Sequence, residues 1–86
     1  MNKKVMDLID GEIEYAKQWD SISLEERPQK DADKSVEFWI LHMQRYLRQA
    51  QDGCAGVDKT PALESIRKLA GLCVRCMEFH ETPARK

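Results

Sequence analysis

The sequence predicts an all-α protein, and two observations lead to this class. Apolar residues recur at helical spacing in three separate stretches, and no stretch alternates as a strand would. The last stretch, residues 61–80, is apolar around well over half of its circumference, so it must be covered from more than one side. We therefore expect three main helices per chain in a bundle that homo-oligomerisation completes.

Size and composition favour a single domain over residues 1–86. A chain this short buries only a small core, which is a second reason to expect a copy of itself as partner. The formal net charge of −1 creates no basic field that would attract nucleic acid. The scattered apolar residues at the N-terminus form neither a signal sequence nor a membrane span, so we expect no membrane partner.

The first helix is expected over about residues 3–19, with Asn2 as its N-cap. Glu12 lies at the centre of the apolar face of this helix. A carboxylate in such a place is costly unless it is paired, protonated or bound to a metal ion. The surrounding apolar residues are Val5, Leu8, Ile9, Ala16 and Trp19.

A polar connection over residues 20–34 leads to the second helix, expected over 35–51. Ser35 is placed as the N-cap, Glu37 suits the first turn, and Gly53 follows the end of the helix. The main apolar stripe consists of Val36, Trp39, Ile40, Met43, Tyr46, Leu47 and Ala50.

The third helix is expected over residues 61–80. Thr60 is predicted as its N-cap, and Pro61 suits the first helical position because it lacks an N–H that would need a partner. Thr82-Pro83 ends the helix. Since its apolar arc is the widest of the three, this helix is predicted to be central, with the other two packed around it.

Carboxylates from the three helices suggest a magnesium site. Mg²⁺ takes oxygen ligands and keeps some of its waters, so a few converging carboxylates would hold it. The candidate ligands are Glu12, Asp20, Glu37 and Glu64. The alternative is structural: Glu12 pairs with an arginine or lysine of a neighbouring helix.

The cysteines admit a zinc interpretation that we place below a structural one. Cys73, Cys76 and His80 share one helical face, and Cys54 could supply a fourth ligand. Structural zinc sites usually place such a pair on a tight turn, whereas this pair lies within a continuous helix, where cysteine acts as a small apolar residue. Three cysteines without a secretory signal suit the reducing cytoplasm, which is the predicted location.

Three stretches together resemble the MazG-like branch of the all-α nucleotide pyrophosphohydrolases. They cover most of the chain and read EIEYAKQWD from Glu12, SVEFWILHMQRYLRQA from Ser35, and ALESIRKLAGLCVRCMEFH from Ala62. The family carries an ExxE on its second helix and an ExxD on its third. In this chain only Glu37 and Glu64 match, because Ile40 and Arg67 occupy the second positions of those motifs.

The resemblance implies an oligomeric helical protein that uses Mg²⁺ to hydrolyse nucleoside triphosphates to monophosphate and pyrophosphate. The metal ion would act there as a Lewis acid and as a template for the attacking water. We expect either this activity or binding of a nucleotide by a remnant of such a site. The alternative, from a different class, is a non-catalytic homo-oligomeric helical interaction protein.

Overall fold

In the computed structural model the chain forms three helices, α1 (Lys3–Asp20), α2 (Val36–Asp52) and α3 (Thr60–Phe79). The structure describes the backbone of residues 1–20 and 33–85, and the side chains of the same residues except 18–20. Over these ranges there is no strand, which confirms the all-α prediction. Each helix limit lies within one residue of its predicted position, and most of the predicted connection lies outside the described residues.

The starts of the first two helices are capped as predicted. Asn2 Oδ1 accepts a bond of 2.8 Å from the Val5 N–H, and Ser35 Oγ accepts one of 3.2 Å from the Phe38 N–H. Each bond satisfies one of the backbone donors that a helix leaves unpaired in its first turn.

The predicted cap of the third helix is wrong. Thr60 does not cap α3, because it is the first residue of that helix and its hydroxyl is used as a donor. Asp58 Oδ1 accepts from the Thr60 N–H at 3.0 Å and from the Thr60 O–H at 2.7 Å. Asp58 therefore accepts bonds from the first residue of α3, whereas the sequence analysis expected the Thr60 side chain to be the acceptor at this helix start.

The centre of the fold is α3, against which both other helices pack. Its direction is opposite to that of α2, because Trp39 near the start of α2 stacks on Phe79 at the end of α3. Lys17 near the end of α1 is within reach of the charge of Glu78 near the end of α3. The pKa of Lys17 is raised first by its hydrogen bond to Glu14 and least by this Glu78 charge. The first and third helices therefore run in the same direction.

The turn after α2 depends on a close backbone approach. Gly53 follows the last residue of α2, and a Cβ atom built there would lie 2.7 Å from the backbone nitrogen of Ala62. Gly53 has ordinary right-handed dihedral angles, so the requirement for glycine is steric rather than conformational. This contact holds the end of α2 against the first turn of α3.

The part of the chain that the structure describes has a small buried core. Among the described residues, one large apolar side chain is fully buried, that of Trp39, and the other buried apolar residues are alanines. Two cations lie over the Trp39 ring, Lys34 Nζ at 5.0 Å and Arg75 Cζ at 5.1 Å from its centroid, which is cation–π geometry. His80 Nε2 lies 2.9 Å from the Lys34 carbonyl oxygen and must donate to it, which ties the end of α3 to the start of α2.

Candidate functional site

A cleft of about 470 Å³ lies along α3 between α1 and α2. Its lining combines one carboxylate, three cations and two phenol rings with small and apolar residues. We call it the basic cleft, and its residues are Glu12, Tyr15, Ala16, Tyr46, Arg67, Lys68, Gly71, Leu72 and Arg75.

Glu12 is held by an ion pair at the edge of this cleft. Its Oε1 accepts a bond of 2.8 Å from Arg67 Nε. The Glu12 side chain is 16% exposed and that of Arg67 39% exposed, so the pair is screened by water on the arginine side. The structure thus contains the pairing with a neighbouring helix that the sequence left open as the alternative to metal binding.

The ion pair depends on a glycine. A Cβ atom built on Gly71 would lie 2.9 Å from Glu12 Cβ, closer than side chains normally approach. Because Gly71 has no side chain, α1 lies close enough for Glu12 to reach Arg67, one turn earlier on α3. Glycine inside a helix costs about 0.5–1 kcal/mol relative to alanine, so this approach is achieved at the expense of helix propensity.

The remaining cations extend along the floor of the cleft. Lys68 Nζ lies 6.0 Å from the centroid of the Tyr46 ring, and Arg75 links the cleft to the buried Trp39. The sequence analysis did not select these residues because charged side chains on a helix usually face solvent. A signal was present in the spacing of Arg67, Gly71 and Arg75, since residues four apart share one helical face.

The other predicted metal ligands are dispersed. Glu37 and Glu64 are exposed and do not line the basic cleft, while the side chain of Asp20 lies outside the described residues. The part of the chain that the structure describes contains no group of three or more His, Cys, Asp or Glu residues placed to hold a metal ion. The four-carboxylate magnesium site therefore stays a prediction.

The residues of the zinc interpretation have other contacts. Cys73 is half-buried, and its Sγ lies 3.9 Å from Met43 Sδ. Burial raises the pKa of the Cys73 thiol, with a smaller contribution from the charge of Cys76. Cys54 is exposed in the loop after α2. Cys73 thus has the packing of a small apolar side chain.

A strip of exposed apolar residues runs along α3 on the side away from the cleft. One residue turns a helix by about 100°, so two residues separate opposite sides. Ile66 is two residues from Lys68, and Met77 is two residues from Arg75. Ile66 and Met77 are 49% and 50% exposed although they lie on the central helix.

The strip continues onto α2. Trp39 and Ala50 face α3, and Tyr46 lies on the cleft side of that contact. Val36, Ile40 and Leu47 lie on the other side of it. We call the combined surface the apolar face, and its exposed residues are Val36, Ile40, Leu47, Ile66 and Met77. The basic cleft and the apolar face therefore occupy opposite sides of the central helix.

Comparison with protein-family models, with curated proteins and with solved structures gives no match for this chain. The MazG-like resemblance consequently stays a prediction from the residues quoted above. Within the described ranges, none of the helices combines the length and apolar character that crossing a membrane requires.

Proposed function

We propose that this protein is a self-associating helical interaction protein in which a second copy of the chain covers the apolar face. The observation that carries the proposal is the exposure of Ile66 and Met77 on the central helix, where an isolated domain would bury its largest apolar side chains. Among the residues that the structure describes, the buried apolar side chains are Trp39 and three alanines, which is little for an independent fold.

The composition of the apolar face supports a second copy as the occupant. Its exposed residues on α2 and α3 are all aliphatic or methionine, and none carries a charge that would select a different partner. A symmetric dimer interface is self-complementary, so one apolar surface is sufficient to form it.

Two adjacent residues of α2 provide the test. Ile40 belongs to the apolar face and is 46% exposed, while Leu41 is 64% exposed and lies about 100° away around the helix. Sedimentation equilibrium should show a dimer or larger assembly for the unmodified chain. Ile40→Glu should shift it toward the monomer, and Leu41→Glu should leave it assembled.

A monomeric unmodified chain at high micromolar concentration would refute the proposal. Equal dissociation by Ile40→Glu and Leu41→Glu would also refute it, because the effect would then not belong to the apolar face.

The free thiols of Cys54, Cys73 and Cys76 support the cytoplasm as the proposed location.

A second candidate function is the Mg²⁺-dependent nucleotide pyrophosphohydrolase that the MazG-like resemblance implies. The observation that favours it is the position of Glu12 at the edge of an open cleft, where a carboxylate could help to hold a metal ion. The test is release of pyrophosphate from nucleoside triphosphates with and without Mg²⁺. Activity that requires Mg²⁺ and is lost in Glu12→Gln would support it, and no release from any nucleotide would refute it.

A further inference from the structure

We propose that the basic cleft binds the oxyanion of a small phosphate-bearing molecule directly, through Arg67, Lys68 and Arg75, without a metal ion. This site lies on the opposite side of α3 from the apolar face, so it does not depend on self-association. It also differs from a magnesium site, in which carboxylates rather than cations would contact the phosphate through the metal.

The charge balance of the cleft favours an anion. Three of its lining side chains are cations and one, Glu12, is a carboxylate. The bond that Arg67 makes to Glu12 uses Nε, and no other bond of Arg67 occurs among the described residues. The four N–H groups on its terminal nitrogens therefore remain for a ligand, and a guanidinium matches phosphate oxygens with two parallel bonds.

The positions on α3 allow the cations to converge. Arg67 and Arg75 are eight residues apart, which is about 12 Å along the helix, and Gly71 lies midway between them. Both arginines line the same cleft, although the stem of Glu12 fills the space directly over Gly71. Lys68 approaches the same space from the α2 side, over the Tyr46 ring.

The volume of the basic cleft and the net charge of the chain limit the class of ligand. A volume of about 470 Å³ suits a small molecule. Nucleic acid would require an extended basic surface, and the chain carries a formal net charge of −1. The phenol group of Tyr46 borders the cleft and can bond to a phosphate ester.

Glu12 has a defined part in this proposal. Its carboxylate occupies the Nε–H of Arg67 and places a negative charge at the cleft edge. A phosphate that binds in the cleft therefore competes with the Glu12 carboxylate for Arg67. This gives a prediction of opposite sign to that of a magnesium site, because removing the Glu12 charge should strengthen direct oxyanion binding and weaken metal-mediated binding.

The experiment is isothermal titration calorimetry of the full chain in EDTA with inorganic phosphate, pyrophosphate and adenosine monophosphate, at an ionic strength matched with chloride. Lys68→Met and Arg75→Met should each weaken binding by about tenfold or more, as expected for loss of a charge-assisted hydrogen bond. Arg48→Met is the matched control, because Arg48 is an exposed arginine outside the basic cleft. Tighter binding of adenosine monophosphate than of phosphate would identify a monoester ligand, and the reverse would identify free phosphate.

Glu12→Gln completes the test. We expect tighter phosphate binding by this variant in EDTA, with helical circular dichroism unchanged. No heat of binding with any of the three probes would overturn the proposal, as would equal losses in Lys68→Met and Arg48→Met. Weaker binding by a folded Glu12→Gln, or binding that appears only with Mg²⁺, would also overturn it.

Discussion

A Cβ atom built on Gly71 lies 2.9 Å from Glu12 Cβ, so α3 carries glycine where α1 comes closest to it. The atom contacted is the stem of the side chain, which cannot move without moving α1. Gly71→Ala should therefore push α1 outward, break the bond between Glu12 and Arg67, and lower the free energy of unfolding by about 1–2 kcal/mol despite the gain in helix propensity. Urea unfolding followed by circular dichroism measures this change.

Gly11 provides the control for this substitution. It also lies within a helix, but a Cβ atom built there meets nothing within 4 Å. Gly11→Ala should raise the free energy of unfolding by about 0.5–1 kcal/mol, because only helix propensity changes. If both alanine variants were stabilised equally, the close approach of α1 to Gly71 would not exist in solution.

Gly53 should tolerate substitution even less than Gly71. Its built Cβ atom lies 2.7 Å from a backbone nitrogen, that of Ala62, and backbone has no rotamer through which to move away. Gly53→Ala should therefore cost roughly 2–3 kcal/mol, as overpacking does in cores. Gly56→Ala is the control, since its nearest atom, the Asp58 carbonyl oxygen, is 4.0 Å away. Thermal unfolding of the two variants side by side would contradict this account if their midpoints were equal.

Asp58 should make the stability of the chain depend on acid pH. Bonds from the backbone N–H and then the hydroxyl of Thr60 hold the Asp58 pKa below its ordinary value of 3.8. A lowered folded-state pKa contributes stability above pH 3.8 that is lost as the pH falls through the folded-state value. Asp58→Asn keeps an acceptor oxygen but removes the charge, so its midpoint should lie below that of the unmodified chain at pH 7 and approach it near pH 2.

The comparison for Asp58 is Asp10→Asn, on the exposed side of α1. Within the described structure Asp10 makes no hydrogen bond or ion pair. Its midpoint difference from the unmodified chain should be small at both pH values. A gap for Asp58→Asn that stayed constant between pH 7 and pH 2 would remove the titration of Asp58 as its cause.

The cysteines should differ in their reaction with iodoacetamide. Only the thiolate reacts, and burial raises the pKa of Cys73, whereas Cys54 is exposed. At pH 7.5 we expect Cys54 to be alkylated first and Cys73 last. Raising the pH should accelerate Cys73, and peptide mass mapping over time measures both rates. Equal alkylation rates of Cys54 and Cys73 in the folded chain, with the two rates equal in denaturant as well, would contradict the burial of Cys73.

The helices could be predicted because their signals are local. Caps such as Ser35 and the spacing of apolar residues depend on neighbours within one or two turns, so the sequence alone specifies them. The central position of α3 also followed from its own apolar arc. The predicted cap of α3, Thr60, was wrong because its N–H and hydroxyl both donate to Asp58, and this contact depends on the conformation of the preceding loop.

The basic cleft could not be predicted in the same way. It exists because α1 approaches α3 at Gly71, and a glycine within a helix gives no indication of which partner it admits. Glu12 stood out in the sequence as a charge on an apolar face, but its partner, Arg67, is fifty-five residues away. Which of several cations it meets is a property of the packing between helices.

Because the basic cleft and the apolar face lie on opposite sides of α3, a dimer formed through the apolar face would carry its two clefts on its two outer surfaces. Each cleft would remain open to solvent, and assembly would double the sites without altering either. Such a dimer is bivalent, and it could join two separate phosphate-bearing partners or hold one multivalent partner with an avidity that a single cleft lacks.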